Sequence, residues 1–148
     1  MTPSPIDNPL ISTFGRLLEA AAHLERELGG VQEARTGLPH AWFEVLIRLA
    51  RSEGGRLTMG ALADQVVLTT GGTTRLVDRM EAAGYVERAS CPTDRRVAYT
   101  VITEAGRAML DEAAGVNVAG LEVRFADFSP QDLVTLNALL DRLRAPAP

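Results

Sequence analysis

Residues 69–84, TTGGTTRLVDRMEAAG, run directly into residues 85–106, YVERASCPTDRRVAYTVITEAG. The first stretch has helical spacing: Thr73, Leu76, Met80 and Ala83 form one stripe, while Thr70, Thr74, Arg75 and Asp78 project from the other side. Thr69 is a residue type that caps a helix N-terminus, and Gly84 is a type that closes a helix. The second stretch changes period. YVERAS and RVAYTVI hold the β-branched and aromatic residues of strands, and CPTD between them is a turn with proline at its second position. The two strands make a hairpin that carries Arg95 and Arg96 near its tip.

Working outward, Thr58 is placed to cap a short helix from Met59 to about Val66, with Leu62 and Val66 turned inward. Two short helices joined by a tight turn, the second with an uncommitted Thr/Arg face, then an arginine-tipped hairpin, read as a winged helix-turn-helix. Further upstream, HAWFEVLIRLAR is a helix with Phe43, Leu46, Ile47 and Ala50 on one face, preceded by Pro39 and ended by SEGG. Leu10, Phe14, Leu17, Ala21, Leu24, Leu28 and Val31 recur at alternating steps of four and three, the seam by which one helix lies along another; Gly29 and Gly30 weaken its end. Downstream, Thr103 and Glu104 open a helix to about Phe125. The motif SPQD then caps a last helix to about Arg144, with Leu133, Leu136, Leu140 and Leu143 again stepping by three and four. The expected fold is mainly α with a small β-hairpin: one domain over residues 1–148, with a winged helix-turn-helix core at 38–102. Long terminal helices at 10–36 and 103–144 are expected to dimerise, because their seams exceed what a small core covers.

The chain has 148 residues, 46% of them hydrophobic, enough for one core. No stretch reaches a membrane span, and the opening residues lack a signal-peptide pattern, so a soluble, cytoplasmic protein is expected. Cys91 is the single cysteine and His23 and His40 the only histidines, so neither a disulfide within the chain nor a dedicated zinc site is expected, and no cofactor. No nucleophile and base are paired in a recognisable signature, nor is there a phosphate-cradling glycine loop, which argues against an enzyme. The formal charge of −4 argues against a general nucleic-acid sponge, yet residues 56–107 carry seven arginines against six acids and are the least acidic part.

That distribution suits duplex DNA. A helix fits the major groove, where the outward Thr70, Thr74 and Arg75 reach base edges or phosphates. The first-turn N–H groups of residues 70–72, at the positive end of the helix dipole, suit a phosphate oxygen. The protruding hairpin can carry Arg95 or Arg96 into the neighbouring minor groove. The expected DNA contacts are Thr69, Thr70, Gly71, Thr73, Thr74, Arg75, Arg79, Asp94, Arg95 and Arg96. Asp78 and Glu81 lie near this face and repel phosphate unless the helix enters by its N-terminal end; Asp78 is expected to brace Arg75 from one turn away.

The segment LTMGALADQVVLTTGGTTRLVDRMEAAGYVERASCPTDRRVAYTVITEAG resembles the core of the MarR/SlyA family of bacterial transcriptional regulators. TRLVDRMEAAGYVER, DRR and ITEAG at their spacing carry the resemblance, which covers residues 38–112. It implies a homodimer with intertwined terminal helices, a pseudo-palindromic operator of double-stranded DNA, and Arg96 in the minor groove oriented by a salt bridge from Asp94. It also implies recognition-helix contacts by Arg75, and an effector pocket, often for aromatic or phenolic acids, which Arg16, His40 and Trp42 are placed to line. Val67 stands where the family often has glycine, and Cys91 where many relatives have aspartate. Two other readings stay open: a winged helix that docks proteins without DNA, and an oxidant sensor in which arginines beside Cys91 lower its pKa.

Overall fold

The computed structural model describes residues 4–66 and 70–144, with backbone alone at Thr70 and Gly71. Val67 and the cap residue Thr69 lie outside the described residues. In chain order come α1 (Pro9–Thr36), α2 (His40–Arg51), β1 (Arg56–Thr58), α3 (Met59–Gln65), α4 (Thr70–Ala82), β2 (Val86–Ser90), β3 (Ala98–Ile102), α5 (Glu104–Arg124) and α6 (Pro130–Arg144). The fold is mainly helical with a small antiparallel sheet. The chain divides into two compact units, Met1–Asn117 and Val118–Pro148.

In the first unit, Asn8 Oδ1 accepts from Leu10 N at 2.9 Å and Pro9 takes the first helical position, so α1 starts on two complementary signals. The helix runs unbroken through Gly29 and Gly30, where its end was expected to weaken. Gly29 is needed there for contact: a Cβ would come within 2.8 Å of the His40 ring, so glycine admits the start of α2. Gly37, at φ 69°, closes α1. Gln32, fully buried, fastens the corner by donating from Nε2 to Thr36 Oγ1 and to the Leu38 carbonyl, both at 2.9 Å.

Helix α2 is the hub. It packs against α3, β1 and β3. Phe43 and Leu46 are buried as expected, but Val45 and Leu49 are buried with them while Ile47 and Ala50 are only partly covered. With neighbours on several sides, α2 needs apolar residues beyond one stripe. Each such side chain contributes about 1.5–3 kcal/mol of transfer free energy.

A third strand joins the expected hairpin: β1 pairs antiparallel with β3, Leu57 opposite Thr100, giving the order β1-β3-β2. Thr58 ends that strand and caps α3, its Oγ1 accepting from Ala61 N at 3.1 Å. On α4, Thr73, Leu76, Val77 and Met80 face the core. Ala83, expected on that stripe, is exposed, because it follows the end of the helix and leads to Gly84 at φ 83°. Thr103 then opens α5: its hydroxyl donates to the Gly84 carbonyl at 2.6 Å and accepts from Gly106 N at 3.0 Å.

In the second unit a reciprocal cap starts α6. Asp132 N donates to Ser129 Oγ at 3.1 Å while Ser129 N donates to Asp132 Oδ2 at 2.8 Å. The Ser129 hydroxyl, which donates to Asp132 Oδ2 at 2.7 Å, and then the Ser129 backbone N–H hold the Asp132 carboxyl below its usual range. No described residue of α6 is buried. Among the described residues, no helix is long and apolar enough to cross a membrane.

Candidate nucleic-acid interface

The buried stripe of α4 orients the opposite side outward. Thr74, Arg75 and Arg79 are exposed there, in the first unit, on a helix packed against α3 and β2. Arg75 and Arg79 also line an open cleft of about 700 Å³, together with Ala41, Gly72, Leu76 and Asp78. Thr73 is fully buried, so its side chain leaves the set of direct contacts: the periodicity that turns Leu76 and Met80 inward turns Thr73 inward too. Thr69 and the side chain of Thr70 lie outside the described residues, and Gly71 is described only as backbone in the first turn of α4.

The β2–β3 connection is a tight wing. Cys91 N donates to the Val97 carbonyl at 3.0 Å and Val97 N to the Asp94 carbonyl at 3.1 Å, which presents residues 94–96 at the tip. Arg96 donates to Asp94 Oδ1 from its own N at 3.0 Å and from Nε at 3.1 Å, and to Oδ2 from Nη2 at 3.3 Å. Its side chain is nonetheless 90% exposed. The carboxylate takes one edge of the guanidinium fork, fixes its direction, and leaves other N–H donors for an external acceptor. The Arg96 side chain, followed by its backbone N–H, holds the Asp94 carboxyl below its ordinary range. Arg95 beside it is exposed.

At the base of the wing, Asp78 does not brace Arg75. Arg88 on β2 donates from Nη2 to Asp78 Oδ1 at 2.5 Å and from Nη1 to Glu81 Oε2 at 2.6 Å. Arg88 N also donates to Glu81 Oε1 at 3.1 Å. The hydrogen bond to Asp78, then that to Glu81, raise the Arg88 pKa above its ordinary value. The two acids are expected near the reading face, but the cation that engages them has only a weak signal in the sequence, an arginine just past the turn from an acidic i, i+3 pair.

The three expected effector residues do not converge. His40 lies at the start of α2 against Gly29, and Trp42 meets Tyr85 edge-on at 6.1 Å between ring centroids. Arg16 sits on α1, thirteen residues from Gly29, or about 20 Å along the helix. Among the described residues, His40 Nδ1 and Gln32 Oε1 are buried without hydrogen-bond partners. The Cys91 thiol lies 3.2 Å from Thr93 Oγ1, and hydrogen bonding from the Thr93 side chain, then from the Thr93 and Asp94 backbone, pulls its pKa below the usual range, with no contribution from the neighbouring arginines. No group of His, Cys, Asp or Glu among the described residues could hold a metal ion.

A short helix pair, an outward helix face and an arginine-tipped antiparallel wing define a winged helix-turn-helix, the architecture of a DNA-binding regulator. Comparison with known proteins agrees. The MarR family model matches residues 36–97. A helix-turn-helix transcriptional regulator of Bacillus cereus is 34% identical over 107 residues, 72% of this chain and 69% of that one. Alignments to four curated regulators of Bacillus subtilis span 29%, 57%, 63% and 53% of their lengths. Among solved structures, Sco3205, a MarR family regulator from Streptomyces coelicolor crystallised with DNA, superposes with a TM-score of 0.81 at 26% identity, covering 98% of this chain and 94% of that one. AbsC from the same organism gives 0.80 at 28% identity, with 96% of each chain covered. The chain belongs to the MarR family, whose members are transcriptional regulators and not enzymes.

Proposed function

We propose that the protein acts in the cytoplasm as a homodimer on a pseudo-palindromic DNA operator, as a repressor that lets go when a small effector binds. The observation that carries the DNA reading is the aimed fork at the wing tip: Arg96, tied to Asp94 and 90% exposed, beside the exposed Arg95. A wing arginine suits the negative potential of a minor groove, while Thr74, Arg75 and Arg79, with the first turn of α4, meet the major groove. The DNA complex of Sco3205 supports this assignment for a chain of the same fold.

Dimerisation is supported by apolar surface left open within each unit. Leu10, Phe14 and Leu17 on α1 are 73%, 59% and 40% exposed, and α1 buries only Gly29 and Gln32. In the second unit Leu139 and Leu143 are 48% and 69% exposed. In this reading residues 10–36 and 103–144 form the dimerisation part and residues 38–102 the winged core. A two-fold dimer places its reading helices about one DNA turn apart, roughly 34 Å, so an effector that favours another spacing releases the operator. The unpartnered His40 Nδ1 and Gln32 Oε1 at the α1–α2 corner, two residues from Trp42, support a site there for a small aromatic or phenolic acid. Arg16 joins such a site only from the partner subunit.

The test is a mobility shift on a duplex that the protein selects from a random pool, repeated with Arg96→Ala. Binding that survives the substitution undiminished removes the wing from the mechanism.

A further inference from the structure

On the chain's own charges, Asp78 and Glu81 sit badly: two carboxylates on the helix that carries Arg75 and Arg79, within a turn of them. Both are substantially exposed, at 53% and 39%, so neither is present to fill the core. Arg88 engages both with its two terminal nitrogens, and its backbone N–H adds a third link to Glu81. The placement of β2 explains that third link. In the order β1-β3-β2, β2 is an edge strand with only β3 beside it, so alternate N–H groups point away from the sheet. Arg88 stands opposite Thr100 in the ladder, and its N–H points outward to Glu81. The last turns of α4 are therefore tied to the open edge of the strand that leads to the wing tip.

We propose that Arg88 is a positioning residue for DNA binding: through Asp78 and Glu81 it fixes the angle between the reading helix and the wing, so that Arg96 meets the minor groove while α4 occupies the major groove. The inference rests on the wing reading given above. It assigns the most basic-looking part of β2 an internal duty, because a guanidinium shared by two carboxylates has little capacity for phosphate. It also explains the acids. They are anchors for the wing, and Arg88 offsets their repulsion of DNA.

Sign and additivity separate this from plain electrostatics and from an ion pair that only stabilises the fold. Asp78→Ala with Glu81→Ala removes two negative charges beside DNA and releases a cation, so electrostatics alone tightens binding, and alanine favours the helix. Loss of the clamp instead weakens binding, by about tenfold, the scale of coupling between contacting charged groups. Arg88→Met has the same effect, and Arg88→Lys recovers only part of it, since one ammonium does not span both carboxylates as a fork does. The decisive comparison is by fluorescence anisotropy on the selected duplex, with and without Arg96→Ala. Where the wing is already disabled, freeing it changes affinity less than about twofold, whereas independent contacts add fully. Tighter or unchanged binding by the double alanine variant, or full additivity with Arg96→Ala, overturns the clamp and leaves the wing contact standing. Unimpaired binding by Arg96→Ala alone overturns both. Melting curves accompany each variant; if Arg88→Met fails to fold, the alanine pair, which removes only exposed carboxylates, decides the matter.

Discussion

Gly106→Ala sets two well-understood effects against each other. The position is in the first turn of α5, where replacing glycine by alanine ordinarily stabilises a helix by about 1 kcal/mol. Gly106 is buried, however, and a Cβ there lands on the Tyr85 carbonyl oxygen, far inside van der Waals contact, and 3.0 Å from Ile102 Cγ1. The oxygen is not free to retreat, because it accepts from Thr103 N at 3.1 Å in the junction that starts α5 beneath the wing. Overpacking costs about 1–3 kcal/mol, and loss of that hydrogen bond about another 1 kcal/mol. Set against the helix gain of about 1 kcal/mol, the net loss is about 1–3 kcal/mol. Urea unfolding followed by Trp42, the chain's one tryptophan, reads this as a midpoint about 0.5–2 M lower at fixed protein concentration. Gly60→Ala in α3, where a Cβ meets nothing within 4 Å, serves as the control and leaves the midpoint unchanged or slightly higher. An unchanged or raised midpoint for Gly106→Ala refutes the close seating of Tyr85 on α5.

Phe14→Arg, on the exposed seam of α1, converts a homodimer to monomers: light scattering shows the mass halved with helical circular dichroism retained, and an unchanged mass counts against that seam as the dimer surface. Asp132→Asn weakens the α6 cap and lowers the melting temperature at neutral pH. Because Ser129 depresses the Asp132 pKa in the fold, the carboxylate's contribution is complete above its unfolded value, ordinarily 3.8, and is lost as pH falls through the lower folded value. The gap between wild type and variant is therefore constant from pH 7 to 5 and closes below about pH 3.8; a gap that widens on acidification contradicts the cap.

What the sequence made legible is what short-range chemistry decides. Thr58, Thr103 and Ser129 announce helix starts because each hydroxyl bonds a group three residues on, and Asp94 and Arg96 pair because they are two residues apart in a turn. Features that depend on distant neighbours stayed hidden. Val45 and Leu49 are buried because α2 is packed on several sides, which a single apolar stripe does not reveal. A three-residue strand such as β1 has too little length for alternation and exists only because β3 supplies its hydrogen bonds. Thr73 reads as polar, but its place on the stripe decides its burial. Arg88 reaches its partners seven and ten residues back across Gly84, beyond any one-turn rule, whereas helical spacing alone points Asp78 to Arg75.

The central claim is electrostatic, and the salt dependence of duplex binding tests it most directly. Each phosphate neutralised steepens the plot of log affinity against log salt by about 0.9, and a cation lodged in the minor groove displaces counterions in the same way. With Arg96 on both wings of a dimer, Arg96→Ala weakens binding and flattens that slope by about 1.8. A mutant line that lies on the wild-type line, in both slope and height, contradicts it.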